Sequence, residues 1–377
     1  MLDRKRREQA RVLDLTQSNP TQADIVYPES GVLDALRHRQ GLVYHPEPAG
    51  LGSARQAVGA YYAGRGVDVP VERVLLAAST SESYSYIFKL LADPGDNVLI
   101  PQPSYPLFDY LAALDSVGTV PYALRYDSGW SIDFETLERG VTTRTRAVIV
   151  VNPNNPTGSF LKKRELGRLT AFCRERGLAI VSDEVFADYS FGADPERVES
   201  LAAVTDVLTF SMSGLSKICG LPQLKLGWMV ISGPDTERAQ AFERIELISD
   251  TYLSVGAPVQ HALPRLLETG AGIRAEIAVR TRDNLAWLRS ALRDTAFHVL
   301  EVEGGWYATV RAPRILSEEE WTLELLERHN VLVQPGFFFD FDQEAYLVLS
   351  LLTAPGILRE GVRRLMLMTG DVTPRLS

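Results

Sequence analysis

Short apolar runs alternate with amphipathic stretches through the middle of this chain. From Arg73, RVLLAA reads as a strand, SESYSYIFKLLA as a helix, DPGD as a turn and NVLIP as the next strand. Further on, AVIVV is apolar without a break, the pattern of a strand covered on both faces. KKRELGRLTAFCRERG has helical spacing and closes at Gly177, after which LAIVSDE, DVLTFSM and GWMVISG read as strands. Strands separated by helical crossovers predict a mostly parallel sheet covered by helices. Helical patterns over Thr236–Leu247 and Ile273–Leu292 then lead into a different texture. There HVLEVEGGWYATVRAP, SEEEWTLELLERHN, VLVQPG and YLVLSLLT predict a smaller α+β unit. The expected fold class is α/β, with a large domain over residues 40–290. Residues 291–377 form the small domain, with the N-terminal arm, residues 1–39, packed on it.

Composition narrows the function classes. A chain of 377 residues exceeds one simple core, and 45% hydrophobic with 23% charged residues is ordinary for a globular protein. A net charge of −9 argues against a nucleic-acid-binding surface, and the opening RKRREQAR reads as a solvated helical end. No apolar run approaches the roughly 20 residues that cross a bilayer, and none follows the N-terminal charges as in a secretory signal. Cys173 and Cys219 are too sparse for a disulfide framework and fit a reducing compartment. The five histidines show no metal-ligand spacing. The expectation is a cytoplasmic protein with no metal and neither a nucleic-acid nor a membrane partner.

In open α/β sheets, ligands bind beyond the carboxyl ends of strands, and four such segments carry chemistry here. AASTSESY places Thr80, Ser81 and Ser83 at a helix start, where free N–H groups and the helix dipole favour an anion, although Ser and Thr also cap helices ordinarily. VIVVNPNNPTGSF follows a buried-type strand with an ordered set of Asn, Pro and Gly; turn formation alone accounts for such composition. Asp183 ends the strand of IVSDEVF, where a carboxylate caps a helix, pairs with a cation, or holds a heterocyclic nitrogen protonated. Lys217 sits in SMSGLSKICGLPQLKLGW among small and hydroxyl residues. A lysine there is costly unless paired, neutralised or used covalently, and a lowered pKa would let it condense with an aldehyde. Together these supply an anion cradle, an amide, a strand-end acid and an imine-forming lysine. That set matches the needs of pyridoxal phosphate.

The sequence resembles the class I/II aminotransferases of the fold-type-I pyridoxal-phosphate enzymes. The resemblance runs from SNPT and YHPEPAGLGSARQAVGAYY through STSESYSYIFKLLADPGDNVLIPQPSYPLF, NPNNPTG and SDEVF to SGLSKICGLPQLKLGW. It implies an aminotransferase that passes an amino group between an amino acid or amine and an oxo acid by a ping-pong mechanism. Lys217 would carry the cofactor as an internal aldimine and shuttle the proton. Asp183 would pair with the pyridinium nitrogen, Asn155 would bond the ring hydroxyl and Tyr105 would stack on the ring. Thr80 and Ser81 would hold the phosphate, aided by Ser213, Ser216 and Lys225. Tyr44 would reach the phosphate of a partner subunit, in a homodimer with shared active sites.

Three departures stand out. Lys225 occupies the position of a family arginine, keeping the charge without bidentate geometry, and Gly214 replaces a small hydroxyl residue, so that Ser213 would substitute for it. Phe186 replaces a tyrosine and removes one hydrogen bond to the ring oxygen, which would raise the imine's pKa. Aligning AYLVLSLLT on the family's C-terminal Y-x-R-x-S puts Val348 where an arginine grips the substrate carboxylate. The competing readings are a lyase or decarboxylase on the same scaffold, which the missing grip favours, and a non-enzymatic cofactor-binding domain.

Overall fold

The computed structural model describes residues 1–371 apart from Ser254 and Glu344. The arm contributes α1 (Leu2–Arg7), β1 (Leu13–Asp14) and α2 (Glu29–Leu36). Next come α3 (Gly52–Ala63), β2 (Val74–Ala77), α4 (Thr80–Leu91), β3 (Asn97–Gln102), α5 (Phe108–Leu114), β4 (Gly118–Tyr126) and β5 (Trp130–Ile132). They are followed by α6 (Phe134–Gly140), β6 (Thr145–Val151), α7 (Lys163–Arg176), β7 (Ala179–Asp183), β8 (Thr209–Gly214), α8 (Leu215–Ile218) and β9 (Gly227–Ser232). Helices α9 (Asp235–Tyr252) and α10 (Ala257–Leu292) lead to β10 (His298–Val299), β11 (Tyr307–Arg311), α11 (Glu318–His329), β12 (Val331–Leu332), β13 (Gln334–Pro335), β14 (Tyr346–Ser350) and α12 (Pro355–Asp371).

The large sheet has the order β2-β9-β8-β7-β6-β3-β4-β5. Pairing is parallel from β8 through β7, β6 and β3 to β4, while β9 and β5 run antiparallel to their neighbours. Alternation sends Ala147, Ile149 and Val181 to one face, packed with residues of α4, α5 and α9. Val148, Val150 and Ile180 face the other way, onto α6 and α7, and α3 and α10 continue that layer. The unbroken apolar runs seen in the sequence are therefore strands with helices on both sides.

Local signals set the helix ends. Ser79 accepts from Glu82 N (3.1 Å) as the cap of α4. Gly177 ends α7 at φ 63°, a conformation that costs glycine nothing. Several elements escaped the sequence pattern, among them β4 and the first half of α10. The half-polar β4, interrupted by Pro121, carries no clean alternation, and α10 begins sixteen residues before Ile273 and runs through Pro264. Buried Val259, Leu263 and Leu266 pack that first half with α2 and α3, which outweighs the bond lost at the proline.

The small sheet has the order β10-β11-β14-β13 and is antiparallel. Its core joins Leu347, Leu349, Ala308 and Val310 to α11, α12 and the last turns of α10. The arm strand β1 pairs with β12. Arm residues Ala23, Ile25, Val32 and Ala35 instead join the core that contains α3 and the start of α10.

Candidate active site

Register aligns the strand ends. Val151 of β6 pairs with Asp183, Asp183 with Met212 of β8, Gly214 with Gly227 of β9, and Gly227 with Ala77 of β2. The segments leaving β2, β6, β7 and β8 thus emerge along one edge of the sheet, and they are the four singled out from sequence. A Cβ on Gly227 would stand 3.1 Å from Ser213 O and 3.3 Å from Thr80 N. This bare glycine is what lets the start of α4 approach the β8–β9 pair.

Lys217 lies on the single turn of α8, its carbonyl accepting from the buried Tyr189 hydroxyl at 2.5 Å. Its Nζ is 5.1 Å from the Trp306 ring and 5.8 Å from that of Phe186. Burial lowers the pKa of this amine, and the Asp183 charge works against that shift. Asp183 accepts from Val185 N (3.2 Å) and from the Tyr84 hydroxyl (3.4 Å). Burial pushes its carboxyl up to about 6, partly offset by those bonds and by Lys217. A cationic partner at this carboxylate would reverse that shift.

The three asparagines of NPNNPTG divide their work. Asn152 is tied to Leu161 N and Val198 O (both 2.9 Å). Asn154 donates to Pro103 O (3.1 Å) and Thr157 Oγ1 (2.9 Å), and accepts from Ser104 Oγ (3.1 Å). Asn155 is buried, and its Oδ1 has no partner among the described residues. A ligand hydroxyl is the kind of group such an atom requires. At the start of α4, the Ser79 cap leaves the Thr80 and Ser81 hydroxyls outside the cap bond. Tyr105 stands beside Phe108 with ring centroids 6.1 Å apart, and both burial and the Asp183 charge raise its pKa.

The other expected residues differ in position and exposure. Ser213 is buried with its hydroxyl 3.5 Å from Glu184 O. Half-buried Ser216 shares α8 with Lys217. Lys225 is exposed at φ 51°, two residues before β9. Tyr44 is 83% exposed, outside its own chain's site. Val348 is fully buried in β14, opposite Thr309 on one side and Gln334 on the other.

Sequence reasoning missed Tyr84 and Trp306. Tyr84 lies one helical turn beyond Thr80, and that spacing was a usable signal. Trp306 comes from the small domain, and nothing local in the sequence ties it to Lys217.

A family model for aminotransferase class I and II matches residues 11–362. The glutamate–pyruvate aminotransferase AlaA of Haemophilus influenzae is 27% identical over 372 residues, covering 96% of this chain and 91% of that protein. An alanine aminotransferase of Mycobacterium tuberculosis is 29% identical over 374 residues, covering 94% and 85%. Among solved structures, an aminotransferase from Escherichia coli matches with a TM-score of 0.86 at 25% identity, covering 98% and 93%. The alanine aminotransferase from Pyrococcus furiosus gives 0.89 at 24%, covering 98% and 95%. These matches favour transamination over the lyase, decarboxylase and non-enzymatic readings. With its fold-type-I architecture, this chain belongs to the class I and II aminotransferases, enzymes dependent on pyridoxal 5'-phosphate.

Proposed function

We propose that Lys217 is the residue to which the cofactor is joined and the base that moves the substrate proton. The observation that carries this reading is a half-buried amine of lowered pKa, 5.1 Å from the Trp306 ring and 5.8 Å from that of Phe186, with Asp183 as the charge acting on it. When bound, pyridoxal phosphate supplies an aldehyde for exchange with amino groups and an electron-poor ring that accepts the electron pair left at the donor carbon. Asp183 holds the ring nitrogen protonated, kept in place by Tyr84 and Val185 N. Asn155 would hydrogen-bond the ring hydroxyl, and Tyr105 would stack on the ring. Thr80, Ser81, Ser216 and Lys225 bind the phosphate, Thr80 and Ser81 at the start of α4. Lys217 Nζ would take the proton from the donor carbon and return it, its backbone fixed by Tyr189. Phe186 and Trp306 keep water from that amine.

The enzyme acts as a cytoplasmic homodimer in this reading. The strongly exposed Leu42, Val43 and Tyr44 form an apolar segment suited to a second copy, which places Tyr44 at the partner's phosphate. Both cysteines are free and buried, in keeping with a reducing compartment. Borohydride reduction in the presence of pyridoxal phosphate, followed by peptide mass spectrometry, tests the lysine assignment. The added mass should fall on Lys217 and vanish in Lys217→Ala. Labelling of another lysine at full stoichiometry would overturn it.

A further inference from the structure

A cleft of about 410 Å³ opens between α3 and α10. Ala57 and Ala60 wall it from α3, Pro264 and Leu267 from α10. Its polar groups differ in how far they are engaged. Arg65 Nη1 donates to the Tyr61 hydroxyl (2.8 Å) and its Nη2 to Glu199 O (2.9 Å), while the Tyr61 hydroxyl donates to Asp188 Oδ2 (2.7 Å). Arg274 is different. Its side chain is only 26% exposed, yet among the described residues it makes no hydrogen bond, and its one ion pair is a loose 4.0 Å approach of Nε to Asp188 Oδ1. A guanidinium carries five N–H donors, and here the group borders an open cleft instead of a partner.

Charge in the cleft balances. Arg65 and Arg274 stand against Asp188 and Glu268, the latter exposed at the rim. A phosphate or a dicarboxylate would gain from the guanidiniums and lose against the two carboxylates. A small zwitterion meets both signs. Its carboxylate takes the unengaged guanidinium of Arg274, its ammonium donates to Asp188 or Glu268, and a short apolar side chain covers the alanines and Leu267.

Two parts of the cleft bear on Lys217. Cys219 follows α8 directly; its Sγ lies 3.5 Å from Leu266 O, and a Cβ on Gly270 would collide with that sulfur. Helix α10 therefore rests on α8 along the same turns that supply Leu267 and Glu268 to the cleft. Asp188 in turn is the residue before Tyr189, whose hydroxyl holds Lys217 O.

We propose that this cleft is an effector site for a free α-amino acid with a short apolar side chain, and that its occupancy acts on Lys217 through α10 and Tyr189. The site stands apart from the active-site reading, whereas its coupling rests on Lys217 as the reacting amine.

Calorimetry on the holoenzyme uses two probes. N,N-dimethylalanine is a zwitterion whose tertiary nitrogen cannot condense with the cofactor aldehyde, and isobutyrate is a carboxylate without the nitrogen. The zwitterion should bind about tenfold more tightly or better; equal affinities would overturn the ligand class. Arg274→Met, which keeps an apolar stem, should weaken the zwitterion by about tenfold or more. Ala60→Trp, an exposed change that fills the cleft without touching a charge, should do the same, and it decides alone if Arg274→Met does not fold. Unchanged affinity in the folded variants would refute the site. Saturating N,N-dimethylalanine should change the rate of cyanoborohydride reduction at Lys217 by about fivefold, and Ala60→Trp should abolish that change. An unchanged rate in the wild type would overturn the effector role. Failure of the lysine assignment is distinct, because it appears as labelling of another lysine with no probe present.

Discussion

Of the three asparagines between Val151 and Gly158, only Asn155 has a buried oxygen left without a partner. Composition marks all three as turn formers; their hydrogen bonds separate scaffold from ligand contact. Asp183 carries a similar signature in its proton affinity. Its carboxyl is raised from 3.8 to about 6, so the folded chain holds this proton more tightly than the unfolded chain does. Its stabilising contribution is therefore complete below about pH 4 and is lost as pH rises through 6. A shift of about two units corresponds to roughly 3 kcal/mol. Urea titrations of the cofactor-free protein should show stability falling over this window, and Asp183→Asn should remove most of the slope. Glu184, also raised by burial, remains in the variant and accounts for the residue of the slope.

At the scale of elements, the close approach of β8 and β9 explains a departure that the sequence only records. A Cβ on Gly214 would come within 2.8 Å of Gly227 Cα and 3.0 Å of Leu226 O, both backbone atoms unable to swing aside. The hydroxyl residue usual in the family does not fit between these strands. Gly214→Ser should therefore destabilise the protein by about 1–3 kcal/mol, measured by chemical denaturation, and should not improve cofactor affinity. Unchanged stability would show that the strand pair can open. The positions of Asp183 at the end of β7 and Lys217 just beyond β8 were legible in the sequence because an apolar strand pattern precedes each. The antiparallel direction of β9 was not, because an apolar run has no direction until its partners are chosen.

At the scale of the whole molecule, the small domain is tied to the NPNNPTG loop. Glu303 N donates to Gly158 O (3.2 Å), Phe160 N to Glu303 Oε2 (2.9 Å) and Lys162 Nζ to Glu303 Oε1 (2.7 Å). These bonds hold the GGW segment in place, and with it Trp306 beside Lys217. The dimer reading makes a further demand, since Tyr44 and Lys217 of one active site would come from different chains. Lys217→Ala and Tyr44→Ala should each be strongly impaired alone. Mixed after unfolding and refolding, they should recover about a quarter of wild-type activity, because half the dimers are mixed and each of those has one intact site. Failure to recover activity while size measurements show mixed dimers would place Tyr44 outside the partner's site.

The sequence by itself determined the alternation that builds the parallel sheet, the order of the strand-end residues and the family they resemble. Periodicity and turn chemistry are local, so those features survive in a linear reading. Only the tertiary structure decided which asparagine oxygen is unengaged, why a side chain at residue 214 would meet backbone, and that Trp306 lies beside Lys217. Each of these depends on which distant backbone or ring lies against a residue, and packing fixes that only once the chain has folded. Val348 spans both levels. Its identity was plain in the sequence, and its meaning came from its neighbours Thr309 and Gln334, supplied by strands tens of residues and fourteen residues away.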